Sequence, residues 1–218
     1  MKKIGQTLGR FVAMIVTYYL YAYLQYFYFY PQKAHLHRSS GWLLALGTVA
    51  VLAFIFWMYK KTIPEADEWH FNEEPHWDWH RLGIAVLGYI LIVFASVVSL
   101  NLVGGGTSAN QSALNAIEKN GSRGLYNLMV VFIAPFCEET LFRGMLLNVF
   151  FRHPTRTNKV LAVLVSGFCF AYMHDPTFSK YIIVYLLLGC ILAWVYVETR
   201  DLRYSMLVHM CYNALGVL

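Results

Sequence analysis

The chain has 218 residues, of which 58% are hydrophobic and only 13% are charged, and its mean hydropathy is +0.48. Soluble domains carry about 25% charged residues, so this composition excludes an ordinary soluble domain and predicts an integral membrane protein. The formal charge of +5 indicates basic loops on the cytoplasmic side. It does not indicate nucleic-acid binding, because no soluble segment carries a basic patch.

The first part of the chain, residues 1–124, predicts membrane spans joined by polar loops. Three uncharged apolar runs approach or exceed the roughly 20 residues that a helix needs to cross a bilayer. They are Phe11–Tyr30, Trp42–Tyr59 and Leu82–Val103. The first run is rich in tyrosine, which we attribute to helix packing and to aromatic contacts at the membrane interface.

Two longer polar connections follow the second and the third of these spans. The connection 60–81 contains Trp69, Trp77 and Trp79, and tryptophan in such a place predicts anchoring at the membrane surface. The segment Thr107–Gly124 predicts a loop outside the membrane with one short helix.

The second part, residues 125–218, predicts four more apolar segments. They are Leu125–Phe151, Val160–Met173, Tyr181–Val197 and Tyr204–Leu218. The sequence therefore predicts an all-α integral membrane protein of about seven transmembrane helical segments enclosing an intramembrane polar site. The parts 1–124 and 125–218 would form one integrated membrane domain, with the polar site in the second.

Lysine and arginine counts predict that the N-terminus is cytoplasmic, because cytoplasmic loops carry the excess of basic residues. In that orientation eleven basic residues are inside: Lys2, Lys3, Arg10, Lys60, Lys61, Arg81, Arg152, Arg156, Lys159, Arg200 and Arg203. Five are outside: Lys33, Arg38, Lys119, Arg123 and Lys180.

The segment Leu125–Phe151 is unusual because it contains Pro135 and three charged residues. Glu138, Glu139 and Arg143 would each cost about 2.5 to 3.5 kcal/mol at the centre of a membrane helix, so residues of this kind usually serve a function. We expect a long or broken helix that lines a cavity. Glu139 and Arg143 are four residues apart and can form an ion pair, while Glu138 points about 100° away.

Two later segments also place polar side chains on one helix face. Phe170 and His174 are four residues apart, and so are His209 and Asn213. Three helices could thus bring Glu138, His174, His209 and Asn213 into one buried pocket. Taken singly, an intramembrane histidine or asparagine is more often a hydrogen-bond partner between helices, and the Glu139–Arg143 pair is more often structural.

Together these residue types suit hydrolysis. A carboxylate shielded from bulk water can act as general base on a water molecule, and a histidine can orient that water or pass its proton to a leaving amine. A histidine and an asparagine can donate hydrogen bonds to an oxyanion. The sequence contains neither a Gly-x-Ser-x-Gly nor a His-Glu-x-x-His motif.

The order Glu-Glu-x-x-x-Arg from Glu138 to Arg143, then Phe-x-x-x-His to His174, then His-x-x-x-Asn from His209 to Asn213, resembles the CPBP family. This family comprises CAAX proteases and bacteriocin-processing proteins and is also called Abi. Ala134-Pro135 and Phe142-Arg-Gly144 match the surroundings of its first motif. The resemblance covers about Leu125 to Leu218; the earlier spans match only as generic membrane helices.

The resemblance implies an intramembrane protease in which Glu138 activates water and His174 positions that water or passes its proton. His209 and Asn213 would hold the oxyanion, and Glu139 and Arg143 would support the helix. No cofactor is assigned. A metalloprotease is the alternative, in which Glu138, His174 and His209 would ligate a divalent metal such as zinc.

We therefore expect a multi-pass endopeptidase of the bacterial plasma membrane, acting on a membrane-associated protein or peptide in bacteriocin processing or self-immunity. Nucleic acid is not an expected partner. The alternative is a non-catalytic immunity or partner-binding protein on the same scaffold. A transporter is less favoured, because the sequence lacks the internal repeat and paired half-helices of that class.

Overall fold

The computed structural model describes residues 2–35, 40–63, 68–71, 76–151 and 153–217. Within these ranges it contains eight helices and no strand, which confirms the all-α prediction. The helices are α1 (Lys2–Phe29), α2 (Gly41–Thr62), α3 (Trp79–Leu102), α4 (Ala109–Asn120), α5 (Arg123–Phe150), α6 (Arg156–His174), α7 (Ile182–Thr199) and α8 (Leu202–Val217).

Four helices in the described ranges, α2, α3, α5 and α7, are long and apolar enough to cross a membrane. On α2, large apolar side chains such as Trp42, Leu46, Val49 and Trp57 are exposed, as expected for a surface that faces lipid. The chain is therefore a multi-pass membrane protein. Each of the seven predicted apolar segments is helical, but the number of seven crossings stays a prediction.

Helix α5 is one continuous run of 28 residues, so Pro135 does not break it. Two wide turns interrupt the α-helical pattern: the N–H of Ala134 donates to the carbonyl of Met129, and the N–H of Leu146 donates to that of Leu141. Both bonds span five residues, which defines a π-type turn. The N–H of Ala134 therefore does not bond to the carbonyl of Val130, which is its usual acceptor four residues earlier in an α-helix. Pro135 cannot bond to that carbonyl either, because proline has no N–H.

Two glycines let α6 and α7 approach closely. A Cβ added at Gly189 would lie 2.9 Å from the Cα of Gly167, and one added at Gly167 would overlap Cys190. Small residues permit this backbone approach in membrane helices. The approach places the carbonyl of Gly189 beside α5, where it accepts a hydrogen bond from Arg143 at 2.9 Å.

Contacts between loops and helix ends show which ends lie together. At one end, Lys159 pairs with Glu198 at 3.8 Å, and Arg81 lies 4.0 Å from Asp201. At the other end, Lys180 donates to the carbonyl of Val103 at 2.6 Å. The starts of α3 and α6 therefore lie beside the end of α7, as the alternating order of spans predicts.

Trp69 is not a membrane anchor, and the prediction for it is wrong. Its side chain is only 2% exposed, and its ring stacks on Phe71, which stacks in turn on Tyr196 of α7. The connection folds back onto the helix bundle here because three aromatic rings bury more apolar surface there than at an interface. Trp77 and Trp79 are 58% and 88% exposed, as an anchoring position requires.

Candidate active site

A cavity of about 500 Å³ lies between α1, α3, α5, α6, α7 and α8, and its mouth is lined by the loop before α4 and by α4 itself. Glu138, His174, His209 and Asn213 all line it. The three sequence motifs thus meet in one place, although they come from three separate helices.

Glu138 faces the two histidines with one carboxylate oxygen. Its Oε2 lies 3.9 Å from Nε2 of His174 and 3.8 Å from Nε2 of His209. Both separations exceed a direct hydrogen bond and are of a length that a bridging water suits. The carboxylate is 8% exposed, so the group is shielded from bulk solvent without being sealed off.

Each histidine is fixed through its other ring nitrogen. Nδ1 of His174 donates to the carbonyl of Phe170 at 2.8 Å, and the ring stacks between Phe170 and Tyr185. Nδ1 of His209 bonds to Oε1 of Glu139 at 2.9 Å. A carbonyl only accepts, so Nδ1 of His174 carries the proton, and its Nε2 presents a lone pair toward Glu138 while the ring is neutral.

Glu139 lies at the centre of a buried polar group. Its Oε1 is 3.0 Å from Nη1 of Arg143 as well as 2.9 Å from His209, and both Glu139 and Arg143 are 0% exposed. The guanidinium of Arg143 also lies over the ring of Phe170 at 4.8 Å. The ion pair matches the expected spacing. The bond to His209 joins residues 70 positions apart, and no local pattern signals it.

Asn213 joins α8 to the first wide turn of α5. Its Nδ2 donates to the carbonyl of Val130 at 2.9 Å, the same carbonyl that Pro135 and Ala134 leave without a donor from the helix. Buried carbonyls are nearly always paired. Pro135 therefore creates the acceptor that holds the Asn213 side chain at the cavity.

Tyr21 of α1 is a site residue that sequence reasoning missed. Its hydroxyl donates to Oε1 of Glu138 at 2.5 Å, on the opposite side of the carboxylate from the histidines. The sequence places Tyr21 in a tyrosine-rich run that resembles a packing surface, and no local pattern in that run points to Glu138.

Asp175 fixes the end of α6 directly after His174. It accepts hydrogen bonds from Oγ1 of Thr177 at 2.8 Å and from Oγ of Ser179 at 2.6 Å. Burial opposes ionisation of Asp175, but these hydrogen bonds prevail and lower its pKa. The ionised side chain therefore holds the loop that follows His174.

The donor set has the composition of a catalytic zinc site, with two imidazole nitrogens and one carboxylate oxygen. Neighbouring ligands of tetrahedral zinc are about 3.3 Å apart, and the separations here are 3.8 and 3.9 Å. In the part of the chain that the structure describes, no group of three His, Cys, Asp or Glu side chains is arranged to hold an ion. Ligation would require Glu138, His174 and His209 to draw together.

Comparison with known families identifies this arrangement. Residues 122–215 match the family model described as type II CAAX prenyl endopeptidase Rce1-like. This part of the chain is similar to an Rce1-like domain. The match contains Glu138, His174, His209 and Asn213, and it confirms the predicted resemblance to the CAAX protease group.

Curated bacterial proteins are also similar to this chain. UPF0177 protein YvdC of Lactococcus lactis is 28% identical over 140 residues, which is 63% of this chain and 50% of that protein. UPF0177 protein YxdF of the same organism is 37% identical over 84 residues, 38% of this chain and 44% of that protein. The membrane-embedded CAAX protease MroQ of Staphylococcus aureus is 30% identical over 146 residues, covering 64% and 56%.

The chain thus spans about half the length of the curated relatives it matches. No solved structure matches it. The matched residues 122–215 contain the two glutamates, the two histidines and Asn213, whereas Tyr21 comes from outside them.

Proposed function

We propose that this protein is an intramembrane endopeptidase that hydrolyses a peptide bond of a membrane-associated protein or peptide. The observation that carries the proposal is Oε2 of Glu138 facing Nε2 of His174 and of His209 within 4 Å, in a cavity between membrane helices. The similarity to an Rce1-like domain and to MroQ, a membrane-embedded CAAX protease, supports a protease.

In the proposed reaction a water molecule binds between Glu138 and His174. Oε2 of Glu138 takes one proton from the water. At the same time the water oxygen attacks the carbonyl carbon of the scissile bond, which yields a tetrahedral oxyanion. When the intermediate collapses, the C–N bond breaks and the proton passes from Glu138 to the leaving amine, directly or through His174. Glu138 returns to its ionised state, ready for another water.

His209 and Asn213 are the proposed oxyanion donors. Nδ1 of His209 is bonded to Glu139, so Nε2 is the ring nitrogen that would donate to the oxyanion, in the protonated form of the ring. Asn213 uses one amide hydrogen on the Val130 carbonyl and has a second to offer. Losing one oxyanion donor typically costs about 10² to 10³ in rate.

The proposed setting is a bacterial plasma membrane, with the N-terminus in the cytoplasm and a role in bacteriocin processing or self-immunity. We propose that the site works without a metal, because Glu138 and the two histidines supply base, proton relay and oxyanion donor by themselves. In the zinc alternative these three residues would hold the ion, which would polarise the carbonyl and lower the pKa of its bound water.

Replacement of Glu138 tests the proposal. Glu138→Gln keeps the shape of the side chain but removes the base, so cleavage of membrane peptides reconstituted with the purified protein should fall roughly 10²- to 10⁴-fold. Glu198→Gln is the matched control, because Glu198 is a half-exposed surface residue at the end of α7. Full cleavage by Glu138→Gln would refute the role of Glu138 as the base, whereas no cleavage by either the parent or the variant would favour a protein that only binds its partner.

Metal content separates the two forms of the mechanism. We expect the purified active protein to cleave peptide without stoichiometric zinc and to keep its activity in a chelator. Stoichiometric zinc that disappears in His174→Ala and in His209→Ala would overturn the metal-free form and leave the protease assignment intact.

A further inference from the structure

We propose that Tyr21 is a positioning residue for Glu138, so that helix α1, which lies outside the matched residues 122–215, completes the active site. The inference rests on the proposed function, because it concerns the carboxylate that would act as base. It adds a residue that none of the three sequence motifs contains.

The geometry divides the two oxygens of Glu138 between two tasks. Oε1 accepts the hydroxyl proton of Tyr21 at 2.5 Å, while Oε2 faces His174 and His209 at 3.9 and 3.8 Å. Those longer contacts do not fix a carboxylate in one rotamer. In the described part of the chain, the bond from Tyr21 is therefore the direct hydrogen bond that orients Glu138, and it leaves the reactive oxygen free.

Gln25 sets the direction of the Tyr21 bond. Its Nε2 donates to the Tyr21 hydroxyl oxygen at 2.8 Å from the next turn of α1. A phenol has one proton to donate. Because the oxygen already accepts from Gln25, that proton points to Glu138, and the short chain Gln25–Tyr21–Glu138 has one consistent direction.

Burial makes this bond consequential. Tyr21 and Glu138 are 7% and 8% exposed, so bulk water does not compete freely for the carboxylate. A hydrogen bond to a charged group is stronger in such surroundings than at a surface. The alternative is that Tyr21 serves packing alone, as the tyrosine-rich run suggests, in which case its hydroxyl would contribute only to stability.

Tyr28 provides a matched control on the same helix. It is 3% exposed and its hydroxyl also makes a buried hydrogen bond, but to Oγ1 of Thr48 on α2, at 2.8 Å. Tyr21→Phe and Tyr28→Phe each remove one buried hydroxyl and nothing else. Only the first change releases Glu138.

The test compares steady-state cleavage by the two full-length variants in reconstituted membranes. We expect Tyr21→Phe to lower kcat roughly 10- to 100-fold with KM unchanged, since Glu138 then samples unproductive rotamers. Tyr28→Phe should keep the wild-type kcat while losing a similar amount of thermal stability. Gln25→Leu leaves Tyr21 in place but removes the donor that directs its hydroxyl proton toward Glu138. This variant should lower kcat by a smaller factor than Tyr21→Phe does.

The outcomes separate this inference from the proposed function. If Tyr21→Phe keeps the wild-type kcat while Glu138→Gln abolishes cleavage, the positioning role is wrong and the protease stands. Equal losses of kcat in Tyr21→Phe and Tyr28→Phe would also overturn the positioning role, because looser packing of α1 would then explain both losses. Should Tyr21→Phe fail to fold, an unchanged kcat in Gln25→Leu would overturn the inference.

Discussion

Neighbouring glutamates in α5 occupy opposite environments. Glu138 faces the cavity, where its partners are a tyrosine hydroxyl and two histidine nitrogens. Glu139 is fully buried beside Arg143 and His209. A rotation of about 100° between consecutive helical residues is enough to separate a proposed catalytic carboxylate from one that holds the framework.

The first prediction at this scale concerns the buried ion pair. Arg143→Met leaves Glu139 charged and without its cation, which should cost roughly 3 to 5 kcal/mol of unfolding free energy. Removing both charges in Glu139→Met with Arg143→Met should recover most of that loss, because well-packed apolar residues often replace a buried pair at little cost.

Activity should not recover with stability in the double variant. His209 loses the acceptor for its Nδ1 when Glu139 is replaced, so the ring is no longer held toward Glu138. Thermal unfolding and peptide cleavage, measured on the single and double variants, check both halves. A double variant that regains both would mean that Glu139 acts through the ion pair alone.

Four-residue spacing in the sequence predicts contacts between side chains on neighbouring turns of one helix. It does not predict contacts between two helices. The Glu139–Arg143 pair and the shared face of Phe170 and His174 follow from four-residue spacing. The bonds from Tyr21 to Glu138 and from His209 to Glu139 join positions 117 and 70 residues apart. Such contacts depend on how helices pack, and helix packing is not encoded in local periodicity.

At the scale of helices, α6 and α7 approach each other closely, and each positions a group that hydrogen-bonds to α5. The carbonyl of Gly189 accepts a hydrogen bond from Arg143 at 2.9 Å, and at the same glycine no side chain separates the α7 backbone from α6. On α6, Ser166 lies next to Gly167, and its hydroxyl donates to the carbonyl of Phe142 at 2.8 Å. The glycines therefore contribute to the site by setting distances between backbones.

Gly189→Ala tests this dependence. The added methyl would collide with the Gly167 backbone and with Phe170, so α6 and α7 should separate, the Arg143 bond should lengthen, and both thermal stability and cleavage should fall. Overpacking of this kind typically costs about 1 to 3 kcal/mol. Purified variants can be compared by thermal unfolding and by peptide cleavage.

Gly83→Ala is the matched control, because Gly83 is in α3 with nothing within 4 Å of the added carbon. Alanine is favoured over glycine in a helix by roughly 0.5 to 1 kcal/mol, so this variant should be as stable as the parent or slightly more so. If Gly189→Ala behaves like Gly83→Ala, the close approach of the two helices does not support the site.

Hydrophobic runs predict the helices well and their boundaries less well. Helix α1 begins at Lys2, nine residues before the apolar run that predicts it, because polar residues continue a helix beyond the part that faces lipid. The wide turn at Met129–Ile133 is not predicted. Pro135 signals a disturbance there, but only the packed helices decide that Asn213 takes up the released carbonyl.

At the scale of the whole molecule, the cavity reaches α4 at one end of the bundle, and most of the basic residues lie at the other end. Ser108, Asn110 and Gln111 line the mouth, next to the loop where Lys180 bonds to Val103. The contacts of Lys159 with Glu198 and of Arg81 with Asp201 join helix ends at the opposite end of the bundle. Orientation in the membrane therefore decides from which side a substrate reaches Glu138.

The excess of basic residues predicts that the end carrying Lys61 is cytoplasmic, so α4 and the cavity mouth should face outward. In a background whose four cysteines are replaced, a membrane-impermeant maleimide should label Asn115→Cys on α4 in intact cells and Lys61→Cys only after permeabilisation. Both positions are exposed, so accessibility within the protein does not confuse the comparison. The reverse pattern would place the mouth in the cytoplasm, and the proposed protease would then act on the cytoplasmic side of its substrates. The outward pattern would instead restrict substrates to peptides whose scissile bond reaches the outer half of the bilayer.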